Sequence, residues 1–179
     1  MKIRCKTNDI AYQYRMTGGF PGDVSRTHPA TIEPVLIDAS APPQFYGEAV
    51  LVDGATQGVR PFTTTDTAVT AAYGVLVRPY PFQQSSGSNY GAASIGAATP
   101  PASGAADALR AGYISVTVPA GQTPVKDGAV YVWCAASTGG HIQGGFEASA
   151  SNGNTAALTN CTFNGSPDAN GNVELAFNI

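Results

Sequence analysis

Short runs of alternating apolar and polar residues make up most of the second half of the chain. From Gly112 onward there are five such runs, separated by clusters of Gly, Asn, Asp and Pro: residues 112–118, 129–135, 141–147, 157–163 and 173–177. In the first run, residues with hydroxyl groups fall on one face and aliphatic residues on the other, which is the pattern of a half-buried strand. The alternation therefore predicts a series of short β-strands joined by tight turns.

Local features refine this prediction. Residues 129–135 are apolar on both faces, which predicts the central strand of the sheet. The pair Gly144-Gly145 predicts a bulge within 141–147, and Asn170-Gly171 predicts the last hairpin. Only residues 103–111 hint at a helical turn. The second half is therefore expected to be almost entirely β-structure.

The first half also contains apolar runs of strand length, at residues 34–38, 45–52 and 73–78. Asp53-Gly54 ends the second of these with a tight-turn signal. Pro79 and Pro81 lack the N–H group that a central strand needs. The third strand is therefore expected to leave the sheet at Arg78.

Residues 83–108 differ in composition from the rest of the chain. Nineteen of these 26 residues are Ala, Gly, Ser or Pro, and Tyr90 and Ile95 are the large apolar ones. Such a segment buries too little apolar surface to offset its own ordering entropy. It is predicted to be a long surface loop, and disorder in the free protein is compatible with ordering on assembly.

Charge is sparse and unevenly distributed. Charged residues make up 12% of the chain, whereas Gly and Pro account for 34 of 179 residues, which favours a β-rich structural module over a helical enzyme. Residues 1–30 carry five basic and two acidic residues, and residues 31–179 carry four basic and ten acidic ones. A basic N-terminal arm on an acidic body favours contact with an acidic protein surface over nucleic acid, and a merely solvated terminus stays open as an alternative.

The chain offers little for catalysis or metal binding. His28 and His141 are more than a hundred residues apart, and there is neither a Gly-x-Ser-x-Gly turn nor a Cys-x-x-Cys spacing. Residues 168–172 lack the Gly and Glu positions of a calcium loop and predict a hairpin instead. Trp133 lies in the most apolar run, so we expect it in the core and not on a sugar-binding surface. We therefore predict no catalytic residues, no metal and no cofactor, although carboxylate pairs of the glycosidase type stay open.

Three cysteines cannot all pair within one chain, and no apolar segment typical of a secretory signal follows Met1. They are expected to be reduced thiols. Cys134 and Cys161 lie within strand patterns and are predicted to be small core residues, whereas Cys5 lies in the basic arm. No apolar stretch approaches the length of a membrane span.

Several segments, in the same order along the chain, resemble the structural cement proteins of tailed bacteriophages, also called capsid decoration proteins. They are Phe45-Tyr46-Gly47-Glu48, Gly74-Val75-Leu76-Val77-Arg78-Pro79-Tyr80-Pro81-Phe82-Gln83, Gly112-Tyr113-Ile114-Ser115-Val116, Gly128-Ala129-Val130-Tyr131-Val132 and the stretch from Asp168 to Ile179. The Ala/Gly/Ser-rich insertion is also similar to that family. The resemblance extends from about residue 35 to the end of the chain.

This resemblance implies an all-β fold, an antiparallel β-barrel or jelly-roll-like sandwich. With the charge pattern, the expected organisation is an extended N-terminal arm at 1–30 and a single β domain at 31–179 that carries the surface loop 83–108. The implied function is to bind the major capsid protein on the outer surface of the expanded head, as a homo-oligomer (dimer or trimer). The resemblance also implies that the protein is made in the host cytoplasm. We expect neither nucleic acid nor a membrane as a partner.

We expect the interface to combine sheet edges, the loop 83–108 and the basic arm. The arm's cations would pair with acidic groups on the capsid or a neighbouring protomer, and its tyrosines would supply apolar anchors. The candidate interface residues are Lys2, Arg4, Lys6, Tyr12, Tyr14 and Arg15 in the arm, with Tyr90 and Ile95 in the loop. The alternative function is that of a virion module that binds carbohydrate or a receptor.

Overall fold

The structure, a computed structural model, describes residues 19–79 and 99–179. These residues form nine strands and one 3-10 turn at Thr64–Asp66, with no α-helix among them. The strands are β1 (Thr31–Ile37), β2 (Ala49–Val52), β3 (Val59–Pro61), β4 (Gly74–Val77), β5 (Gly104–Thr117), β6 (Gly128–Trp133), β7 (Phe146–Glu147), β8 (Thr155–Phe163) and β9 (Asn172–Phe177). The predicted all-β class is confirmed.

The first five strands close into a small barrel. The strand order is β1-β3-β2-β4-β5-β9-β8-β6-β7, and an additional β1–β5 pairing joins the first and fifth strands of this series. Strands β9, β8, β6 and β7 extend the sheet beyond the barrel. The ladders are antiparallel except between β1 and β3, which pair in parallel at Ile37 and Val59. The antiparallel prediction therefore holds with that one exception.

Strand β5 belongs to both parts of the fold. Its N-terminal half pairs with β1 and β4, and residues 112–117 pair with β9. Gly112 lies at the change of partners with a φ of 139°, and a Cβ atom there would lie 2.9 Å from the carbonyl oxygen of Pro29. Glycine is needed here because a side chain would be strained and would collide with the backbone. Gly112 thus lets one strand pass from the barrel into the extended sheet.

Two apolar clusters hold these parts together. The smaller one packs Ile37, Tyr46, Val50, Val59 and Leu76 among the barrel strands. The larger one spans β4, β5, β6, β8 and β9, and four fully buried phenylalanines fill much of it: Phe62, Phe146, Phe163 and Phe177. Cys134 and Cys161 are buried in this cluster as reduced thiols, as predicted.

Some predicted strands and loops differ from the structure. The loop predicted at 83–108 ends earlier, because β5 begins at Gly104, and the helical turn hinted at in 103–111 is strand. The first residues of β5 pair with β1, and residues 107–109 pair with β4 as well, so tertiary pairing overrides the weak β-propensity of the small residues. Residues 80–98 lie outside the described residues.

The second half also departs from the prediction in two strands. The run 129–135, predicted to be the central strand, forms β6, which lies next to the two-residue strand β7 at the end of the order. Val130 and Val132 bury one face of β6, whereas on the other face Ala129 is exposed, Tyr131 is half-buried, and Trp133, 5% exposed, is stacked against the ring of His141. The strand predicted at 141–147 is reduced to Phe146–Glu147, and the Gly144-Gly145 pair lies in the turn before it.

Candidate interaction surface

The ribbon formed by β1 and the first half of β5 is largely open to solvent along β1, although residues 107–109 of β5 also pair with β4. Thr31–Ile37 pairs with residues 104–111 along its full length, whereas its other neighbour, β3, meets it only at Ile37. Within the part of the chain that the structure describes, the backbone edge of residues 31–36 that points away from β5 therefore has no strand partner. Pro34 lies in this edge, where its missing N–H costs no ladder bond.

The outward face of this ribbon exposes aliphatic side chains of β1 and, on β5, the side chain of Asp107, which is paired with Pro34. Leu36 is 63% exposed and Ile32 is 47% exposed, although both lie in a well-paired strand. The opposite face contributes Val35 and Ala106 to the barrel cluster. Because side chains alternate along a strand, Ile32, Pro34 and Leu36 lie together on the outer face. We call this set the ribbon face.

Residues 19–26, which the sequence analysis placed in the free arm, attach to the body. The Gly22 N–H donates to the Ser115 carbonyl oxygen at 2.8 Å. The Ser25 N–H donates to the Tyr113 carbonyl oxygen at 3.0 Å, and the Arg78 N–H donates to the Gly22 carbonyl oxygen at 2.8 Å. This segment therefore pairs with β5, residues 1–18 lie outside the described residues, and the boundary at residue 30 stays a prediction.

A side-chain cluster fastens the same segment to β9. Glu174 accepts hydrogen bonds from Arg26 Nη2 at 2.7 Å, Arg26 Nε at 3.1 Å and Ser25 Oγ at 2.7 Å. Burial works to raise the pKa of Glu174, but the hydrogen bonds from Arg26, Ser25 and Asn164 hold it below its usual range. The Arg26 guanidinium also lies over the Tyr113 ring, 3.8 Å from its centroid. The segment is thus anchored by charge as well as by backbone.

A cavity of about 280 Å³ lies beside this segment. The apolar residues of its wall are Pro21, Phe45, Val118, Pro119, Ile142 and Phe146. Arg78 and Glu147 are the charged residues that line it. The cavity is therefore a mainly apolar depression with one carboxylate and one guanidinium at its boundary.

Glu147 is held in a hydrogen-bonded group at the cavity. Its Oε1 lies 2.7 Å from His141 Nδ1, and its Oε2 accepts a hydrogen bond from Gln122 Nε2. The imidazole of His141 stacks on Trp133 with the ring centroids 4.2 Å apart. Burial raises the pKa of Glu147, and the contacts with His141 and Gln122 oppose this effect. Packing and hydrogen bonds therefore fix the position of this buried carboxyl group.

Glu48 is a second carboxyl group inside the protein, and it is fully buried. Its Oε2 accepts hydrogen bonds from the backbone N–H groups of Gln44 at 2.6 Å and Phe45 at 3.2 Å. Its Oε1 has no hydrogen-bond partner among the described residues and lies against Gly144. Burial raises the pKa of Glu48 to about 8, because the two backbone hydrogen bonds offset only part of the desolvation. The fold thus buries a carboxyl group that is mostly neutral at pH 7.

Arg60 joins two turns of the barrel. Its Nη1 lies 2.7 Å from Asp66 Oδ2, and its Nε lies 3.7 Å from Asp53 Oδ2. The Thr63 N–H also donates to Asp66. Burial tends to raise the pKa of Asp66, but the hydrogen bonds from Arg60 and Thr63 hold it below its usual range. These carboxylates stabilise turns and have little acceptor capacity left for another ligand.

No group of three or more potential metal ligands occurs within residues 19–79 and 99–179. Across the same ranges, no helix has the length and apolar character to cross a membrane.

All eight interface residues predicted from the sequence, Lys2, Arg4, Lys6, Tyr12, Tyr14, Arg15, Tyr90 and Ile95, lie outside the described residues. Their roles stay predictions. Sequence reasoning missed the ribbon face, because an apolar residue in a strand is normally assigned to the core. It also missed Glu48 and Glu147, whose signal is a lone acid beside a strongly apolar run.

Comparison with known proteins identifies the family of this chain. No curated protein matches it. A chain from a structure described as "The capsid of Myoviridae Phage XM1" superposes with a TM-score of 0.64 and is 17% identical, over 94% of this chain and 95% of that chain. At this identity the likeness shows the fold alone. The model of the XM1 gp53 minor capsid protein family matches residues 10–177, and the chain belongs to this family of phage capsid proteins.

Proposed function

We propose that the protein is a non-enzymatic capsid decoration protein, or cement, that binds the exterior of the expanded head. Its family makes it a phage capsid component with a place in the virion. In this proposal it stabilises contacts between major capsid protein subunits. The observation that carries the proposal is the ribbon face, where Leu36 and Ile32 stay exposed in a strand that could have buried them.

The ribbon face has the properties of a docking surface for another protein. Exposed aliphatic side chains gain free energy when a partner removes them from water, by about 25 cal/mol per Å² of apolar area. The unpaired outer side of residues 31–36 also offers backbone groups that a partner's extended segment can meet. Contiguous exposed apolar residues are candidate interaction sites, whereas single ones scattered over a surface are normal, and Ile32, Pro34 and Leu36 lie side by side on one strand face.

A cement acts by mass action. A protein that binds only the expanded lattice stabilises that lattice in proportion to its own binding free energy. If the protein is a homo-oligomer, as proposed, one molecule contacts several capsid subunits at once, and avidity strengthens the effect. Under this proposal the basic arm, with Lys2, Arg4 and Lys6, adds charge pairs to the apolar contact of the ribbon face.

The alternative, a virion module that binds carbohydrate or a receptor, has less support. Sugar-binding sites commonly use an exposed aromatic ring, and Trp133 is 5% exposed and covered by His141. Binding of the purified protein to glycans but not to capsids would favour that alternative.

The proposal is tested by co-sedimentation of purified protein with expanded heads that lack it. We expect the unmodified protein to bind, and Leu36→Asp to weaken binding at least about tenfold, because it places a charge in an apolar contact. Val125→Asp is the matched control, since Val125 is 59% exposed but lies away from the ribbon face, in the turn before β6. Absence of binding by the unmodified protein would refute the cement function. Equal binding by the two variants would refute the role of the ribbon face.

A further inference from the structure

The cavity beside the N-terminal segment is separate from the ribbon face. It is lined by Pro21, Phe45, Val118 and Ile142, among other residues, whereas the ribbon face lies on β1. At about 280 Å³ it is slightly smaller than the sites that hold cofactors and drug-sized ligands. Its size suits a single long side chain or a small fragment.

The apolar walls of the cavity include one carboxyl group. Glu147 lines the cavity and is 1% exposed, so its carboxylate has lost most of its hydration. A carboxylate has about four acceptor positions, and His141 and Gln122 use two of them. A group that brings a positive charge and an N–H donor to Glu147 would restore part of the lost solvation.

Arg78 opposes a cation in the cavity and therefore limits where the cation can lie. Its guanidinium carbon is 4.7 Å from the centroid of the Phe20 ring, and Phe20 is 56% exposed. The guanidinium of Arg78 thus packs on a half-exposed ring and also lines the cavity, whereas Glu147 is buried. Salt screens buried charge pairs much less than exposed ones, so the contact with Glu147 has to offset the repulsion from Arg78.

We propose that this cavity receives a lysine or arginine side chain from the capsid protein that the chain binds. The alkyl stem lies along the apolar wall, and the charged head pairs with Glu147. The identity of the partner rests on the proposed cement function, whereas the preference of the cavity for an alkyl cation does not.

The direct test uses small probes and no capsid. n-Butylammonium and n-butylguanidinium carry the stem and head of the two side chains, n-butanol is the neutral analogue, and butyrate is the anionic one. Nuclear magnetic resonance titration should show that both cations shift the signals of Ile142 and Phe146, with dissociation constants on the order of millimolar. Butanol should bind at least about threefold more weakly, and butyrate more weakly still.

Two substitutions at one exposed side chain provide matched variants. Ile142 is 47% exposed and lines the cavity, so both Ile142→Glu and Ile142→Lys should fold. Ile142→Glu should strengthen n-butylammonium binding about threefold, and Ile142→Lys should weaken it by a similar factor. Glu147→Gln should weaken it further if that variant folds.

The outcomes separate this inference from the cement function. Four results would each overturn the cation site. In the probe titrations, these are equal binding of butanol and n-butylammonium, no binding by any probe, or signal shifts confined to residues away from the cavity. In the variants, it is an equal affinity of Ile142→Glu and Ile142→Lys for n-butylammonium. In assays of binding to expanded heads, Ile142→Lys should lose affinity and Ile142→Glu should not.

If the cations bind to the cavity but the unmodified protein does not bind heads, the cation site stands and the cement function fails. If heads bind both Ile142 variants equally, the cavity has no part in capsid attachment and the proposal is wrong.

Discussion

Arg26 and Glu174, 148 positions apart in the chain, form a two-point ion pair that ties the N-terminal segment to the last strand. The Arg26 side chain is 44% exposed and that of Glu174 is 11% exposed. Arg26 is therefore partly solvated, whereas the more buried Glu174 depends on Arg26 for hydrogen bonds. This asymmetry makes the loss of Arg26 more costly than its exposure suggests, since Glu174 would lose its strongest donor.

A double-mutant cycle should measure this coupling. With Arg26→Ala, Glu174→Gln and the double variant, we expect an interaction energy of about 1 kcal/mol in urea unfolding, because solvent screens the arginine. The control is the pair Arg110–Glu33, in which the carboxylate is 49% exposed, and its coupling should be smaller. Equal couplings for the two pairs would contradict the anchoring role of Arg26.

The depressed pKa of Glu174 predicts a loss of stability in acid. The folded-state pKa lies below the unfolded value of about 4.3. The contribution is therefore complete above the unfolded pKa and is lost as the pH falls through the folded one. Glu174→Gln should be less stable than the unmodified protein at neutral pH and should lose less on acidification. Unfolding curves at about pH 7 and about pH 3 test this difference, and parallel losses in both proteins would argue against it.

Glu48 predicts the opposite dependence. Its folded-state pKa of about 8 lies above the unfolded value, so its contribution is complete below the unfolded pKa and is lost as the pH rises toward 8. This group alone should lower the free energy of unfolding by about 1.4 kcal/mol per pH unit between about pH 5 and pH 8, with no further change above that range. Glu48→Gln keeps an oxygen acceptor for the two backbone N–H groups and should remove the slope.

The control for Glu48→Gln is Asp53→Asn, because hydrogen bonds from the Thr56 and Ala55 N–H groups hold the pKa of Asp53 below its usual range. This variant should keep the slope between about pH 5 and pH 8. If Glu48→Gln keeps the full slope, the carboxyl group does not titrate as its burial implies.

Gly144 and Gly153 can be compared because their φ angles are equal. Both have a φ of 76°, but a Cβ at Gly144 would overlap the Glu48 carboxylate, whereas nothing lies within 4 Å of one at Gly153. Each substitution by alanine should cost about 1 kcal/mol for the left-handed conformation. Gly144→Ala should cost about 2 kcal/mol more because of the overlap. Equal losses in thermal or urea unfolding would show that the Glu48 side chain moves aside without cost.

The buried cysteines should be inert in the folded protein. Burial raises the pKa of Cys134 to about 11 and that of Cys161 to about 12, so little thiolate exists near neutral pH. In a Cys5→Ser variant, iodoacetamide at about pH 8 should label neither thiol in native buffer and both in urea. Rapid labelling in native buffer would mean that the core opens locally.

Much of the extended sheet could be predicted because its signals are local. The alternation at residues 112–118 and 157–163 corresponds to the second half of β5 and to β8, and Asn170-Gly171 forms the turn before β9. In each case the period of the pattern and the turn chemistry agree with the final fold.

The barrel closure and the buried acids could not be predicted because they depend on distant partners. The first residues of β5 are small and carry no strand signal, and only pairing with β1 makes them a strand. Glu48 is buried by Gly144, 96 residues away, and no local pattern reports such a contact. The exposure of Leu36 likewise depends on where β3 leaves β1.

The proposed function requires that this protein bind the outside of the expanded head. Cryo-electron microscopy of expanded heads that lack the protein, with and without the purified chain added, tests it most directly. We predict difference density on the outer surface, at positions shared by several major capsid protein subunits, with the ribbon face turned toward them. Density on the inner surface, or none at saturating protein, would contradict the proposed function.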